Sequence, residues 1–276
     1  MAVTNGWGQG TQENTIQWGR GATNATNDWG SIYADSPSGD TVLNAETFSN
    51  AYSTEFDGVD DYVVSNATYS ELNGTTKATW SYWVKPTLGS AMVLSRVSST
   101  TSTSAFVYMF YLFSNGEVGA AIGDTTRRAR TGSTLLTDNV WSHILVCYDG
   151  TLSNGSKTKI FINGVDSTNS DSTTAPILVN ANYPLSIGRR DQTPTYYYDG
   201  LMDELAMWNS TDFRTQSDVD TIYNSGSASD LNNNGLTAPT TWYRFEEGSG
   251  TNATDSGSGG NDGTLTNGVT YSTDIP

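Results

Sequence analysis

The sequence predicts an all-β sandwich that carries one short helix and an extended N-terminal arm. From residue 56 onward, short apolar or alternating runs are bounded by Gly, Asn, Asp and Ser, which is typical of many short strands joined by turns. The 8 Trp, 15 Tyr and 8 Phe residues exclude a disordered chain. We expect the main strands at residues 62–64, 80–84, 106–113, 141–148, 159–162, 185–188 and 201–208.

Two local signals predict a hairpin and the helix. Asn163 and Gly164 tolerate positive φ, so they predict a tight turn between two strands. Thr215 can cap a helix, and Asp218 three residues later resembles the second half of a capping box. An Asn-Ser-Gly run ends the helix. Between these signals lies an apolar stripe at i, i+3 and i+4, formed by Val219, Ile222 and Tyr223.

The single Cys and the single His both fall in the strand predicted at 141–148. One Cys excludes an internal disulfide framework, and we expect Cys147 to pack as a small buried hydrophobe. A lone His143 within a strand removes the commonest general base from a catalytic interpretation. Both residues are therefore interpreted as structural.

Residues 1–44 contain a repeat of a Trp-Gly pair. Trp7, Trp18 and Trp29 are each followed by Gly, at intervals of 18 − 7 = 11 and 29 − 18 = 11 residues. Short Gly-rich units cannot bury a Trp by themselves, so they need neighbours along the chain or on another chain. The regular interval favours an ordered docking arm, and a loosely ordered Gly/Asn-rich tail is the alternative.

The charge and the hydropathy pattern exclude two classes of protein. With 29 acidic against 13 basic residues, the formal net charge is −16, which repels phosphate and excludes nucleic-acid binding. No run of about 20 apolar residues exists, so we expect no membrane insertion. Residues 1–7 have neither a basic nor an apolar signal region, so we expect no secretory signal peptide.

Six stretches between residues 56 and 224 form an ordered set: FDGVDDYV at 56–63, SYWVKP at 81–86, WSHILVCYDG at 141–150, IFING at 160–164, LSIG at 185–188 and DGLMDEL at 199–205. In this order they resemble the motifs of laminin-G-like, concanavalin-A-like lectin and glucanase modules. No single stretch is specific for this family, but the occurrence of all six in this order is. The resemblance implies a jelly-roll β-sandwich followed by a short helix.

The C-terminal segment departs from the order of that family. Residues 242–250 (WYRFEEGSG) and 261–265 (NDGTL) resemble a segment that normally precedes the first of the six stretches. One interpretation is a circular permutation, in which 239–276 still pairs into a sandwich that spans 45–276, because domain termini often lie close together. The other is a separate extension that contacts a neighbour.

The Trp-Gly repeats resemble segments of virion proteins from marine bacteriophages. This resemblance implies a phage decoration, fibre or tail-appendage protein on the virion surface. Its arm would bind other virion proteins or a second copy of the chain. A particle component released by cell lysis needs no signal peptide, which agrees with the N-terminal sequence.

Acidic residues are candidate ligands for a structural Ca²⁺. Asp57, Asp60 and Asp61 lie on a Gly-containing turn, and carboxylate and turn carbonyl oxygens are the ligands that Ca²⁺ prefers. Asp203 has the strand parity of Leu205, so we expect it to point toward the core edge, where a carboxylate needs a partner. The family resemblance implies a structural Ca²⁺ bound near these strands, and we expect Asp57, Asp60 and Asp203 to hold it. Asx hydrogen bonds within the turn are the alternative.

We expect no enzymatic activity. Glycosidases of this fold resemble one another in an E-x-D-x-(x)-E strand, and the chain has no such triple. Asp203 and Glu204 are adjacent, so strand alternation predicts that they face opposite sides and cannot flank one bond. P-loop, dinucleotide and nucleophile-elbow motifs are missing as well.

The candidate carbohydrate-binding site is aromatic and basic. Tyr196, Tyr197 and Tyr198 fall between two predicted strands, close to Arg189 and Arg190. Sugar sites use exposed aromatic faces with polar groups nearby, and tyrosine provides both. The alternative is that the three tyrosines begin the next strand and pack normally.

The sequence therefore predicts a non-enzymatic, virion-associated protein that displays a lectin-like sandwich to cell-surface glycans. Arg127, Arg128 and Arg130 form a second basic group, and either basic group could bind an acidic glycan or an acidic neighbouring subunit. A free secreted carbohydrate-binding module is the alternative function, and a divergent glycoside hydrolase is a third class.

Overall fold

The structure is a computed structural model that describes residues 48–66, 68, 72–97, 106–123, 129–132, 134–178, 181–190 and 195–276. Its contacts divide the chain into two units, Met1–Thr47 and Phe48–Pro276. The predicted arm at 1–44, with Trp7, Trp18 and Trp29, lies outside the described residues. The same holds for Arg127 and Arg128.

The described part of Phe48–Pro276 is almost entirely β-structure, and none of its helices is long and apolar enough to span a membrane. The helix α1 is Gln216–Tyr223. The strands are β1 (Ser53–Asp57), β2 (Tyr62–Ser65), β3 (Lys77–Pro86), β4 (Ala91–Val97), β5 (Phe106–Leu112), β6 (Val118–Ile122), β7 (Ala129–Thr131), β8 (Ser142–Asp149), β9 (Thr158–Ile162), β10 (Val165–Asp166), β11 (Thr168–Asp171), β12 (Ser186–Ile187), β13 (Asp199–Asn209), β14 (Thr241–Tyr243), β15 (Asn252–Ala253), β16 (Gly263–Thr266) and β17 (Thr270–Ser272).

These strands form two antiparallel sheets, which we call the front sheet and the back sheet. The front sheet has the strand order β10-β9-β8-β3-β13-β1-β17, with β14 paired to β13. The back sheet has the order β11-β7-β6-β5-β4-β12-β2-β16-β15. The two sheets form the predicted jelly-roll sandwich.

Aromatic side chains fill the space between the two sheets. The ring of Trp80 in β3 has its centroid 4.9 Å from that of Tyr108 and 5.1 Å from that of Phe110, both in β5. All three side chains are fully buried. Burying one large apolar side chain contributes about 1.5–3 kcal/mol, so this cluster is a main source of the stability of the sandwich.

The helix α1 covers the outer face of the front sheet. Thr215 caps it as predicted, because its Oγ1 accepts the N–H of Asp218 at 3.3 Å. Asn224 takes the left-handed conformation and ends the helix. Val219 and Ile222 are buried in a second apolar cluster, whose other buried members are Leu145, Cys147, Phe161, Ala206, Trp208, Phe213, Leu231 and Trp242.

The predicted hairpin and the predicted burial of Cys147 are confirmed. Asn163 and Gly164 have φ of 50° and 79° between β9 and β10. Cys147 is a fully buried free thiol. His143 is also buried, with its Nε2 2.8 Å from Ser81 Oγ, and burial lowers the pKa of His143 to about 3. A neutral imidazole held under the helix suits a structural role.

Segment 239–276 contributes strands to both sheets. In the front sheet, β14 pairs with β13, and β17 pairs with β1 through Tyr271 opposite Thr54. In the back sheet, β16 pairs with β2, and Leu265 lies opposite Val63. The segment therefore packs within the same sandwich as the strands that precede it.

A β-bulge interrupts β13 in the middle of the front sheet. Asp203 lies opposite Trp83 and Ala206 lies opposite Ser81, so Glu204 and Leu205 share the place of one residue. Glu204 has a φ of 49°, which is rare outside glycine. The extra residue shifts the alternation of every side chain that follows it along the strand.

The bulge overturns two sequence predictions. Leu205 faces the core between the sheets, whereas Asp203 shares the outer face with Trp83. Glu204 contacts Trp242, which belongs to the outer apolar cluster under the helix. The prediction that Asp203 and Leu205 point to the same side of the sheet is therefore wrong. The prediction that Asp203 and Glu204 point to opposite sides is wrong as well. Simple alternation cannot hold across an inserted residue.

We predict that Gly200→Ala destabilises the fold far more than Gly235→Ala. Both glycines have positive φ, at 124° and 86°. A Cβ at Gly200 would lie 2.3 Å from the carbonyl oxygen of Lys85, whereas a Cβ at Gly235 meets no atom within 4 Å. We expect a loss of unfolding free energy of about 1 kcal/mol at Gly235 from the backbone conformation alone. At Gly200 we expect about 4 kcal/mol.

Urea denaturation of both variants measures this difference, and Gly235→Ala is the matched control for the cost of positive φ. Equal losses in the two variants would contradict the steric argument.

Candidate functional site

The predicted aromatic and basic residues lie in the connection from β12 of the back sheet to β13 of the front sheet. Its described residues, 188–190 and 195–198, run side by side, and we call them the hairpin. The N–H of Gly188 donates to the carbonyl of Val93 at 2.9 Å, which fastens the hairpin to β4. Across the hairpin, the N–H of Tyr198 donates to Gly188 O at 2.8 Å, and the N–H of Arg190 donates to Thr195 O at 3.2 Å. The hairpin therefore holds its arginines and tyrosines side by side.

Tyr196 is the exposed aromatic residue of this hairpin. Its φ of 59° turns the chain, and its carbonyl accepts the N–H of Met92 at 2.7 Å. The side chain keeps 42% of its surface exposed. Its ring meets the ring of Tyr111 edge to face, with centroids 5.5 Å apart. Tyr111 lies on the outer face of the back sheet, because its neighbour Phe110 points into the core.

Arg189 is held flat against an aromatic ring on the same face. Its guanidinium carbon lies 3.4 Å from the ring centroid of Tyr62, and its Nε donates to Ser186 Oγ at 3.2 Å. Tyr62 faces outward because Val63 packs in the core. A cation over an aromatic face contributes about 0.5–1 kcal/mol at exposed sites and fixes the orientation of the arginine.

We call this surface the tyrosine–arginine patch and define it as Tyr62, Arg189, Arg190, Tyr196 and Tyr197. Arg190 and Tyr197 are half-buried. Four of these residues were predicted from the sequence, and Tyr62 was not. A signal for Tyr62 exists in the sequence, because a large aromatic residue that alternates with core residues of a strand must face outward.

Tyr198 does not belong to the patch. Its side chain is fully buried, its hydroxyl donates to the carbonyl of Leu201 at 3.0 Å, and its ring meets Phe56 edge to face. Burial raises the pKa of Tyr198 well above its ordinary value. For this tyrosine the alternative of ordinary strand packing is correct, since the residue points to the core side of the chain.

The second predicted basic group is described only at Arg130. Its Nη2 lies 2.6 Å from Glu117 Oε2, and its guanidinium lies 4.4 Å from the ring centroid of Phe113. Phe113 in turn meets Tyr111 edge to face at 4.9 Å. Arg130 is therefore ion-paired, and it contacts Phe113, which packs against the Tyr111 ring that Tyr196 also contacts.

The turn between β1 and β2 brings three carboxylates together. Each of Asp57, Asp60 and Asp61 offers an oxygen atom, and these atoms all lie within 4.8 Å of one another. Asp57 Oδ1 accepts the N–H of Val59 at 2.8 Å and that of Asp60 at 3.4 Å. The Asx hydrogen bonds considered in the sequence analysis are therefore present, and they leave the other carboxylate oxygens of Asp57 and Asp60 at the surface.

Asp61 is the buried member of this acidic turn, with 3% of its surface exposed. Its Oδ2 accepts the N–H of Asp57 at 3.1 Å, while its Oδ1 is buried without a partner among the described residues. Burial raises the pKa of Asp61, and the charges of Asp57 and Asp60 add to this shift. A buried acceptor oxygen beside two exposed carboxylates fits the oxygen ligands of a Ca²⁺ site.

Asp203 lies away from the acidic turn. In β13, Asp199 pairs with Asp57, and Asp203 is four residues farther along the strand, which corresponds to roughly 13 Å. The described structure therefore brings Asp57 and Asp60 together but does not bring Asp203 to them. The register of β13 against β1 decides this separation.

Asp203 instead forms a buried pair with Glu204. Asn50 Nδ2 donates to Asp203 Oδ2 at 2.9 Å, and Trp242 Nε1 donates to Glu204 Oε2 at 2.6 Å. Arg244 Nε lies 3.3 Å from Glu204 Oε1. Burial raises the pKa of Glu204 to about 8, although Arg244 opposes this shift. Burial and the neighbouring Glu204 carboxyl raise the pKa of Asp203 well above its ordinary value.

Burial therefore favours the protonated form of this carboxyl pair. Both carboxyl groups are almost completely buried, and their oxygens accept hydrogen bonds from protein donors. This arrangement ties the chain at Asn50 to β13 and to the segment that follows β14.

Two packed antiparallel sheets, with a covering helix and an aromatic outer patch, define a lectin-like jelly-roll module. The chain matches the Laminin_G_3 family model, described as the concanavalin A-like lectin/glucanases superfamily, over residues 57–220. The match covers more than half of the chain, and the chain belongs to this family. A comparison with curated protein sequences finds no match.

Solved structures share the fold at low sequence identity. A candidate carbohydrate-binding protein from Bacteroides ovatus is 18% identical with a TM-score of 0.59, over 82% of this chain and 60% of that one. A heptameric SAP-like pentraxin from Limulus polyphemus is 15% identical with a TM-score of 0.51, over 63% and 82%. Trypanosoma rangeli sialidase with sialic acid is 12% identical with a TM-score of 0.49, over 68% and 30%.

Proposed function

We propose that the chain is a non-enzymatic lectin-like module that binds glycans on the outer face of its back sheet, at the tyrosine–arginine patch. The observation that carries this proposal is that one hairpin presents both the exposed ring of Tyr196 and an Arg189 that is stacked on Tyr62. Exposed aromatic rings bind the apolar faces of sugars, and a guanidinium supplies several oriented donors for hydroxyl or carboxylate groups.

The carboxyl groups of the chain support a binding role over a hydrolytic one. Asp203 and Glu204 are buried and hydrogen-bonded to protein groups, so they have no open space between them for a sugar. Most glycosidases use two carboxyl groups that flank a bound glycosidic bond. The similarity to a sialidase is no argument for hydrolysis, because at 12% identity it says nothing about catalytic residues.

The display of this module on a particle is part of the proposal. Residues 1–44 would dock through Trp7, Trp18 and Trp29 to another virion protein or to a second copy of the chain. The sandwich would then face outward on the virion surface, as a decoration, fibre or tail-appendage component. A free secreted carbohydrate-binding module remains the alternative function for the same fold.

A structural Ca²⁺ at the acidic turn is the second part of the proposal. Asp57, Asp60 and the unpartnered Oδ1 of Asp61 would hold the ion. The ion would offset the repulsion among three carboxylates and satisfy the buried oxygen. The turn donates the N–H of Gly58 to the carbonyl of Tyr198, so an ordered turn would also steady the hairpin of the patch.

We predict that substitutions in the patch weaken glycan binding. Tyr196→Asn removes the ring but tolerates the positive φ at this position. Arg189→Ala removes the stacked cation. On a glycan array and then by calorimetry, each variant is expected to bind the selected glycan about tenfold more weakly, which corresponds to 1.4 kcal/mol.

Lys159→Ala is the matched control for Arg189→Ala. Lys159 also lies over an aromatic ring, that of Phe161 at 5.7 Å, but it belongs to β9 of the front sheet. Its loss should leave binding unchanged. No binding of any glycan by the wild-type chain, or equal weakening by the control, would overturn the proposed site.

We predict that the Ca²⁺ ion stabilises the sandwich. At a hundredfold excess over its Kd, an ion that binds only the folded state adds about 2.7 kcal/mol to the unfolding free energy. Thermal unfolding should therefore shift upward with Ca²⁺ and downward with chelator, and Asp60→Asn should abolish the shift. Glu55→Gln, an exposed acidic residue of β1, is the control. An unchanged melting curve in chelator would remove the ion from the proposal.

We predict that deletion of residues 1–44 separates assembly from binding. The shortened chain should keep the melting temperature and the glycan affinity of the full chain, because the described unit begins at Phe48. It should no longer cosediment with particles or form oligomers in size-exclusion chromatography. Continued assembly of the shortened chain would show that the arm is not the docking element.

A further inference from the structure

Six Asn-Gly pairs lie in the described part of the chain, and asparagine followed by glycine is prone to cyclisation with loss of its side-chain amide. Glycine has no side chain to hinder its backbone nitrogen, so this nitrogen can approach the side-chain carbonyl carbon of the preceding asparagine. The reaction needs a free side-chain amide and a backbone that can rearrange. The pairs begin at Asn73, Asn115, Asn154, Asn163, Asn234 and Asn267.

The fold restrains five of these asparagines through hydrogen bonds of their side-chain amides. Four accept a backbone N–H on Oδ1, and one donates from Nδ2 to a backbone carbonyl. The bonds are Ala181 N to Asn73 at 2.9 Å, Glu117 N to Asn115 at 3.1 Å, His143 N to Asn163 at 2.8 Å, Leu236 N to Asn234 at 3.0 Å, and Asn267 to Asp60 O at 3.0 Å. Rotation of the amide toward the next residue would break each bond.

The exception is Asn154, in the loop between β8 and β9. Its side chain is exposed and makes no hydrogen bond within the described structure. Asn154 and Gly155 are the two central residues of a turn in which Ser156 N donates to Ser153 O at 3.1 Å. Gly155 has a φ of 88°, and the nearest atom to a Cβ placed there is Asp171 O at 3.6 Å. This turn has room to rearrange.

The chain on both sides of the turn is anchored. Arg214 Nη1 donates to the carbonyl of Ser156 at 2.9 Å, and its Nη2 donates to that of Lys157 at 3.1 Å. Asp149 Oδ1 accepts the N–H of Thr151 at 2.9 Å. The rearrangement is therefore confined to the few residues around Asn154, and the strands β8 and β9 on either side need not separate for the reaction.

We propose that Asn154 is a self-modification site of the folded protein, where the asparagine converts to aspartate and isoaspartate. The backbone nitrogen of Gly155 attacks Cγ of Asn154, and a nitrogen–carbon bond forms while the bond to the amide nitrogen breaks. The amide leaves as ammonia with the proton of the attacking nitrogen. Water then opens the cyclic imide at either carbonyl, and the net reaction consumes one water and releases one ammonia.

The product carries one more negative charge than the −16 of the chain, so it separates by anion exchange. Opening at one of the two carbonyls routes the main chain through the former side chain and inserts a methylene into the turn. The loop lies between strands of the front sheet, whereas the tyrosine–arginine patch lies outside the back sheet. Ageing of the protein should therefore create charge variants that keep the fold.

The test incubates the full-length chain in mildly alkaline buffer and measures each Asn-Gly pair by peptide mapping and isoaspartyl methyltransferase labelling. Among the six described pairs, Asn154 is expected to react about tenfold faster than any other, which corresponds to about 1.4 kcal/mol in the barrier. In urea, where the restraining hydrogen bonds are lost, the six pairs should react at similar rates.

Two variants act as controls. Asn154→Gln should remove the fast phase, because its longer side chain forms the cyclic product poorly, and Gly155→Ala should slow it by hindering the attacking nitrogen. The relative reaction rates of the six described pairs in the folded chain are the deciding measurement. Reaction at another described pair as fast as at Asn154, or no faster reaction at Asn154 than at the restrained pairs, would overturn it.

Discussion

The packing of Trp80 against Tyr108 and Phe110 is the contact on which the other features of this protein depend. It joins β3 of the front sheet to β5 of the back sheet through fully buried rings. Once these rings occupy the space between the sheets, strand alternation decides which residues remain outside. On the back sheet the outer residues include Tyr62 and Tyr111, which support the exposed patch. On the front sheet the outer face is closed by the helix.

The acidic turn and the tyrosine–arginine patch are parts of one end of the sandwich. Gly58 in the turn donates its N–H to Tyr198 O, and a Cβ at Gly188 would collide with the ring of Phe56. The hairpin and the turn therefore approach each other more closely than larger residues would permit. A ligand that orders the turn would act on the hairpin through this hydrogen bond, so the proposed ion and the proposed glycan site are physically linked.

Local features of the fold were predictable because they depend on neighbouring residues. The cap at Thr215, the end of the helix at Asn224 and the turn at Asn163 all require only side chains and backbone conformations within a few residues. Much of the candidate site was predictable for the same reason, because Arg189, Arg190, Tyr196 and Tyr197 follow one another on a short hairpin. The family motifs extended this local knowledge to the jelly-roll class.

The failures concern positions where a distant strand decides the outcome. An inserted residue at Glu204 placed Asp203 on the outer face although alternation predicts the same face as for Leu205, and no pattern within β13 predicts this insertion. The partners of this bulge, Trp242 and Arg244, come from a segment nearly forty residues later in the chain, as the separations of 38 and 40 residues show. The buried carboxyl groups at this bulge need the hydrogen bonds that Trp242 and Arg244 donate.

The amino-acid sequence by itself determined the class of the fold, the positions of its main strands along the chain and the residue types available for binding. Hydrophobic alternation, turn residues and motif order are properties of the linear chain, and they suffice for this. Only the tertiary structure decided that Tyr198 lies in the core, that Asp203 lies far from Asp57, and that Tyr62 supports Arg189. These outcomes depend on sheet register, which strand pairing sets across long sequence separations.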